Sequence, residues 1–339
     1  MKKSLVALVV LGLSSVAMAQ SSVTLYGVAD AGVGKINKSN DLRCDRVTGV
    51  CTGTSKTHFI GTTLMNNGDS RVGLKGVEDI GGGLNAGFNF ETGLSLADGS
   101  TRVAAPLTSL VTGFWQRQAN VWVGGPWGTV KLGRQFSPSY LANSMYDLTS
   151  MANYAVVGNT YRFLGFGERR VPSAFAYISP SFSGVTAAVG YITKTDLGLP
   201  SNKAAWDAAV LYGDGPISAG LGVNKLGDSK TNYQLGGKYD FGGFAVAASY
   251  TQATRPDQRD VRRGFGLGGS AVFGAFSAVV DLSRDTKNQW VYGLLGTNKK
   301  YTNGLVELKY ALSKRTSLYG AYLRLDKTNN YGLGIHHNF

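Results

Sequence analysis

The sequence of 339 residues predicts an all-β fold, a transmembrane antiparallel β-barrel of about sixteen strands. Three observations support this prediction. The chain begins with an export signal, and no later apolar stretch reaches the length of a membrane helix. Apolar and polar residues alternate through most of the remaining sequence. Short and long connections follow one another in turn between the alternating segments.

The first nineteen residues have the pattern of a secretory signal peptide. Two lysines follow the initial methionine, residues 5–18 form a short apolar run, and cleavage is expected between Ala19 and Gln20. The run is too short to span a membrane, which takes about 20 residues. Residues 20–339 are therefore expected to form one barrel domain. Its net charge is the +13 of the whole chain less the two lysines, or +11.

The only two cysteines, Cys44 and Cys51, lie close together in a polar, glycine-containing stretch. In the oxidising compartments outside the cytoplasm this spacing favours one local disulfide in a loop. A zinc site would need more ligands, and His58 is the only candidate nearby. We therefore expect neither a metal nor a cofactor.

Period-two alternation predicts strands that each have one apolar and one polar face. The clearest segments are 84–91, 232–241, 244–251 and 276–283. In the first of them, one face carries Leu84, Ala86, Phe88 and Phe90, and the other carries Asn85, Gly87, Asn89 and Glu91. The last segment alternates in the same way through Tyr331, Leu333 and Ile335. Its end at Phe339 would place an aromatic ring at the membrane boundary.

The connections divide into short turns and long polar links. Glycine-rich turns such as 80–83 and 241–243 alternate with long links. The long links are 36–69, 97–113, 137–169, 194–203, 255–261, 286–301 and 326–330. Short turns at one end and long loops at the other are typical of outer-membrane barrels. A soluble sandwich would need a smaller sheet with its apolar face inward.

Several segments resemble the trimeric general porins of Gram-negative outer membranes, in the variant common in β-proteobacteria. They are Gln20–Gly27, Ser70–Leu84, Arg117–Ala119, Gly128–Gln135, Tyr177–Gly184 and Leu312–Thr316. The resemblance spans the whole mature chain. It implies a sixteen-stranded homotrimer in the bacterial outer membrane, with a third loop folded into the pore. In this sequence that loop corresponds to residues 137–169.

The resemblance also implies a constriction at which wall arginines face the acids of the third loop. The matching arginines are Arg71, Arg117 and Arg170, and the loop acids are Asp147 and Glu168. Strand alternation places Arg71 and Arg170 opposite the apolar face, toward the lumen. It does not assign Arg117 to either face, because valines on the same strand share its parity.

The function expected from these features is passive diffusion of small hydrophilic solutes and ions, with anions preferred. Charged rings of this kind set the selectivity of pores. Part of the positive charge is also expected to contact outer-membrane lipid and anionic lipopolysaccharide. A substrate-specific channel for organic or inorganic anions remains an alternative, and so does a plugged structural or adhesive barrel.

Other functional classes fit the sequence poorly. An enzyme would need a nucleophile with a base, but the chain has three histidines and no Gly-x-Ser-x-Gly elbow. Residues 264–269 match Gly-x-Gly-x-x-Gly, yet the residues after them alternate as a strand and do not form the required helix. The export signal and the alternation argue against a nucleic-acid-binding protein.

Overall fold

The four alternating segments named above all form strands in the computed structural model. The structure describes residues 22–36, 56–60, 63–101, 113–157, 169–193, 203–254, 261–288, 300–325 and 328–339. The strands are β1 (Ser22–Ile36), β2 (Lys56–Ile60), β3 (Arg71–Gly81), β4 (Leu84–Gly93), β5 (Gln118–Gly125), β6 (Gly128–Phe136), β7 (Arg170–Ile178), β8 (Val185–Ile192), β9 (Ala205–Asp214), β10 (Ile217–Leu226), β11 (Asn232–Asp240), β12 (Phe244–Thr254), β13 (Val261–Phe273), β14 (Phe276–Asn288), β15 (Tyr301–Ala311), β16 (Thr316–Leu325) and β17 (Thr328–Asn338).

The sheet is antiparallel throughout and closes on itself, since β1 pairs with β17 along one edge. The other edge of β1 pairs first with β3 and farther along with β2. The strands β2 and β3 are thus two pieces of a single wall strand. The barrel therefore has sixteen wall strands, which confirms the number predicted from the sequence.

The barrel is apolar outside and polar inside, the reverse of a soluble protein. Leu267 and Leu333 are each 65% exposed on the outer face, whereas Asn232 and Gln234 are fully buried on the inner face. This distribution is what a wall between lipid and a polar lumen requires. Among the described residues, no helix is long and apolar enough to cross a membrane.

Two segments fold into the lumen. The first is residues 63–70, which connect β2 to β3 and are called the insertion below. The second is the predicted third loop, described over residues 137–157 and called loop 3 below. The infolded third loop is confirmed. The sequence predicts a single link over residues 36–69, and the structure corrects this prediction. The range contains β2 and most of the insertion. A five-residue strand is too short to show a clear alternation in the sequence.

Loop 3 opens with helix α1 (Pro138–Ser144), which begins where the sequence favours a helix. The Ser137 side chain accepts a hydrogen bond from the Tyr140 amide, and Pro138 occupies a first-turn position where no amide proton is needed. The helix packs on the inner faces of β8 to β11. Glycines make this approach possible: a Cβ at Gly220 would collide with the carbonyl oxygen of Ala142 in the helix, and one at Gly236 would lie 2.6 Å from the ring of Tyr146 just after it.

Several sequence predictions fall outside the described residues. These are the signal peptide with its cleavage between Ala19 and Gln20, the Cys44–Cys51 disulfide, and Glu168 of the third loop.

Candidate functional site

Three arginines surround one carboxylate on the inner wall. Glu91 lies near the end of β4, on the polar face of that strand. Its Oε1 is 2.6 Å from Nε of Arg117 and 3.7 Å from Nη2 of Arg170, and its Oε2 is 3.5 Å from Nε of Arg71. The structure thus brings together the three arginines that the sequence singled out.

Arg117 owes its position to lying just before β5. Side-chain alternation applies only within a strand, so parity with Val121 and Val123 does not determine where this residue points. Its guanidinium is buried and also pairs with Asp69, at 2.8 Å. Burial by itself would lower the pKa of Arg117, but the carboxylates of Asp69 and Glu91 raise it above its ordinary value. The side chain stays charged.

Asp69 is an acid of this cluster that the sequence analysis missed. It belongs to the insertion, and its Oδ1 accepts a hydrogen bond of 2.8 Å from Nδ2 of Asn153 in loop 3. Burial would raise the pKa of Asp69, but the positive charges of Arg117 and Arg169 hold it well below its usual range. Asp69 lies at the end of the link 36–69 and not in the third-loop link 137–169, so the resemblance does not indicate it.

Glu91 was also overlooked, although a signal for it existed. The alternation of residues 84–91 places Glu91 on the polar face of its strand, the face expected to line the lumen. A search for acids on the polar faces of strands next to Arg71 would have found it.

Asp147 occupies a different position from these two acids. It is buried in loop 3, where its Oδ2 accepts hydrogen bonds from the Thr149 amide at 2.9 Å, the Thr149 hydroxyl at 2.9 Å and the Met151 amide at 2.5 Å. Burial raises the pKa of Asp147 although these hydrogen bonds oppose the change. The carboxylate thus closes a turn of the loop.

Two aromatic rings at the start of loop 3 position the guanidinium groups of Arg169 and Arg170, which lie at the start of β7. The carbon of the Arg170 guanidinium lies 4.5 Å from the ring centre of Phe136, and that of Arg169 lies 5.8 Å from the ring centre of Tyr140. The two rings stack on each other at 4.9 Å with an angle of 14°. Cation–π contacts of this kind hold charged side chains without neutralising them.

Ser139, in the first turn of α1, anchors the helix to the wall strands β9, β10 and β11. Its amide and hydroxyl both donate to Oδ1 of Asp207, at 2.9 and 2.5 Å. The Asn224 side chain donates to the Ser139 hydroxyl at 3.2 Å, and the Gln234 side chain donates to its carbonyl oxygen. Alternation places all three partners on inward strand faces.

The insertion is held by Asp30 of β1, which is fully buried. The Asp30 carboxylate accepts hydrogen bonds from the Tyr319 hydroxyl at 2.6 Å, the Asn66 amide group at 2.7 Å and the Gly68 backbone at 2.9 Å. Nδ1 of His336 lies 2.8 Å from Oδ2 of Asp30, the oxygen that also accepts from Gly68. Residues from both sides of the barrel closure therefore fix the insertion.

The insertion and loop 3 contact each other across the lumen. Besides the Asp69–Asn153 contact, the Asn67 side chain donates to the Tyr154 hydroxyl at 2.9 Å. The Asn153 side chain also donates to the carbonyl oxygen of Thr63 at 3.1 Å. The open cross-section is thus narrowed from two directions, next to the arginine cluster.

No group of three or more His, Cys, Asp or Glu side chains in the described ranges has the arrangement of a metal site. The arrangement is a narrowed channel lined by fixed charges, which suits passage of ions and small solutes.

A barrel closed by sixteen antiparallel strands, with a loop folded into a charged lumen, defines a channel of the outer-membrane type. The chain belongs to the Gram-negative porin family, whose model matches residues 4–330. It is a diffusion porin of the outer membrane, and members of this family are channels.

Its relatives include porins of β-proteobacteria. It is 32% identical to outer membrane porin protein 32 of Delftia acidovorans, over 98% of this chain and 92% of that protein. It is 27% identical to an outer membrane porin of Bordetella pertussis, over the full length of both chains.

Among solved structures, it is similar to the anion-selective porin from Comamonas acidovorans. The TM-score is 0.72 at 26% identity, and the match covers 94% of this chain and 100% of that one. OmpT of Vibrio cholerae in its trimer form has the same fold, with a TM-score of 0.63 at 14% identity over 94% and 99% of the chains.

Proposed function

We propose that this porin prefers anions and that its selectivity arises at the arginine cluster. The observation that carries the proposal is the charge balance of that cluster. Four arginines, Arg71, Arg117, Arg169 and Arg170, face two carboxylates, Asp69 and Glu91. The positive charges of this group exceed the carboxylates by two, and Asp147, which interacts with Arg169, offsets part of that excess.

The electrostatic energy of these two charges is large enough to give a measurable preference for anions. Two unit charges at about 5 Å from a passing ion in water contribute about 1.7 kcal/mol. The Debye length at physiological salt is about 8 Å, so about half of this energy survives screening. A remaining energy of about 0.8 kcal/mol enriches anions about fourfold over a neutral pore.

The similarity to a porin described as anion-selective supports the same conclusion. Asp147 and Glu168, the loop acids expected from the sequence, would oppose the arginines. The burial of Asp147 within its own turn supports a weaker role for it than for Asp69 and Glu91.

We also infer that the mature chain, residues 20–339, assembles as a homotrimer after cleavage of the signal peptide. An apolar groove of about 420 Å³ on the outer face of β1 to β6 supports a subunit contact there. Gly76 and Ala86 line it, and such small residues allow close approach, while Phe88 and Val121 offer apolar surface.

The test is single-channel recording followed by measurement of the reversal potential in a salt gradient. We expect openings in groups of three and a preference for chloride over potassium. Arg71→Gln and Arg170→Gln should each lower the anion-to-cation permeability ratio about fourfold, since each removes one charge that, screened to about 0.4 kcal/mol, attracts anions and repels cations about twofold each.

Arg263→Gln is the matched control, because this arginine faces outward and should leave the ratio unchanged. A wild-type pore that prefers cations would overturn the anion assignment. Conductance that saturates with a single class of anion would instead favour the substrate-specific channel.

A further inference from the structure

Two neighbouring histidines, His336 and His337, lie near the end of β17 and point to opposite faces of the wall. His337 continues the outward row of Leu333 and Ile335, and its Nδ1 lies 2.9 Å from the hydroxyl oxygen of Thr316. His336 has the opposite parity and therefore faces the lumen, where its side chain is 16% exposed. Of the two, His336 is placed to act on solutes that pass through the pore.

The ring of His336 lies between two oxygen acceptors. Its Nδ1 is 2.8 Å from Oδ2 of Asp30, and its Nε2 is 3.3 Å from Oδ1 of Asn338. An imidazole ring donates from both nitrogens only when it carries two protons and a positive charge. The surroundings therefore accommodate the charged form of the ring, with Asp30 as its counter-ion.

The carboxylate of Asp30 stays in place when the ring is neutral. Three other donors reach it, the Tyr319 hydroxyl, the Asn66 side chain and the Gly68 amide, at 2.6, 2.7 and 2.9 Å. His336 is its only ion-pair partner in the part of the chain that the structure describes. Loss of the ring proton therefore leaves the insertion attached to the wall, while a neutral pair becomes a single negative charge.

This pair borders the arginine cluster. A Cβ placed on Gly68 would lie 3.4 Å from Cε1 of His336 and 3.9 Å from Nη1 of Arg71, so the imidazole and the guanidinium flank the same residue of the insertion. The next residue, Asp69, pairs with Arg117 at 2.8 Å. A change of charge at His336 therefore acts on the constriction at short range.

The groups around His336 differ in how they respond to pH. In the described ranges, neighbouring elements present Asp30 on β1, Arg71 on β3, Asp69 in the insertion, Tyr319 on β16, the Glu307–Lys309 pair on β15, and Arg315 in the turn before β16. Histidine ordinarily changes its charge between about pH 5 and pH 8, whereas arginine, lysine and tyrosine do not. Asp69 stays ionised, because its pKa lies well below its usual range. His336 is therefore the group bordering the arginine cluster whose charge follows the pH of the medium.

We propose that His336 is a selectivity-determining residue that makes the anion preference of the pore depend on pH. When the ring is protonated, its pair with Asp30 is neutral and the arginine cluster acts at full strength. When the ring is neutral, the carboxylate of Asp30 is left as a negative charge near Arg71, where it attracts cations and repels anions. The ratio of anion to cation permeability therefore rises as the pH falls. This inference deepens the proposed anion preference and rests on the same cluster.

The test measures the reversal potential of the folded porin in a potassium chloride gradient at about pH 5.5 and about pH 8. We expect the permeability ratio of chloride to potassium in the wild type to be about two- to fourfold higher at the lower pH, the effect of one unit charge near the pore. His336→Gln should show the lower ratio at both pH values. His336→Lys, which keeps a positive charge throughout, should show the higher ratio at both.

His337→Gln is the matched control, because it removes the same chemical group one position along the strand, on the outer face. It should keep the pH dependence of the wild type, and so should His58→Gln, which removes the third histidine of the chain. In about 1 M salt, where the Debye length is about 3 Å, the single-channel conductance should be the same at both pH values. The insertion keeps its attachment to Asp30, so only the charge changes.

A ratio that does not change with pH in the wild type, or that changes equally in His336→Gln, would overturn the inference. A conductance in about 1 M salt that falls sharply at one pH would also overturn it, since the pore would then be closing instead of changing its charge. A pore that prefers cations at both pH values, with a pH dependence that His336→Gln abolishes, would contradict the anion preference and support the role of His336.

Discussion

At the scale of single residues, the pore wall depends on carboxylates that hold several guanidinium groups at once. Glu91 contacts Arg71, Arg117 and Arg170, and Asp69 shares Arg117 with it. Burying an arginine without a partner is unfavourable, because the charge loses its hydration. Two acids are enough to keep the arginines charged and fixed while leaving the cluster positive.

The first prediction concerns Asp69→Asn. The pKa of Asp69 is lowered in the folded protein, so its stabilising contribution is complete above the unfolded pKa of about 3.9 and is lost as the pH falls below that value. At pH 7 the variant should be less stable by about 3 kcal/mol, because a buried pair loses one charge. The difference in melting temperature between the wild type and the variant should become smaller as the pH is lowered from 7 to 3.

The control introduces Asp69→Asn into the Arg117→Gln variant and measures the same difference in melting temperature. Arg117 is the main opposing charge on Asp69, so the gap between Asp and Asn at position 69 should largely disappear. A gap that persists unchanged in this background would show that the pair does not determine the effect.

At the scale of elements, loop 3 and the insertion form one inner structure supported by the wall. Ser139 is anchored to Asp207, and the insertion is anchored to Asp30. Glycine at inward wall positions lets α1 lie directly against the sheet. At Gly220, an added Cβ would collide with the carbonyl oxygen of Ala142.

Gly236→Ala is predicted to disturb loop 3. Its Cβ would lie 2.6 Å from the Tyr146 ring, so the ring and the loop must move away from the wall. We expect a changed conductance and a melting temperature lowered by several degrees, corresponding to about 1–3 kcal/mol for overpacking.

Gly237→Ala is the matched control for this substitution. It is the next residue on the same strand, and the atoms nearest to its added Cβ lie at 3.7 and 4.0 Å. Its conductance and melting temperature should match those of the wild type. Equal effects of the two alanines would argue that strand propensity, and not contact with loop 3, is responsible.

At the scale of the whole molecule, the barrel depends on the closure between its first and last strands. The backbone of Phe339 exchanges hydrogen bonds of 3.0 and 3.1 Å with Gly27, and its ring lies against the Cα of that glycine. Asp30 adds side-chain contacts across the same closure, to His336 on β17 and to Tyr319 on β16.

Phe339→Ala should therefore weaken the closed barrel. The side chain is about half exposed, so its removal should cost about 1 kcal/mol, half the value for a fully buried phenylalanine. Thermal unfolding in detergent measures the change. Phe182→Ala, at a turn where the ring is 82% exposed, should have no effect, and an equal loss at both sites would contradict a special role for the closure.

Much of the architecture follows from the sequence by itself. Alternation along each strand determines which side chains face lipid and which face the lumen, since successive residues of a strand point to opposite faces. The predicted strand number, the outward apolar face and the inward third loop all agree with the structure. Arg71 and Arg170 lie within strands, and for them parity indicated the direction that the structure shows.

Only the tertiary structure decided the features that depend on contacts between distant segments. Arg117 lies just outside its strand, where parity carries no information, and the insertion lies inside what reads as one polar link. Asp69 meets Arg117 because the insertion folds into the lumen against the residues just before β5. Local patterns in a sequence specify local directions, whereas the charge at the constriction depends on how the folded chain brings the insertion, loop 3 and the wall strands together.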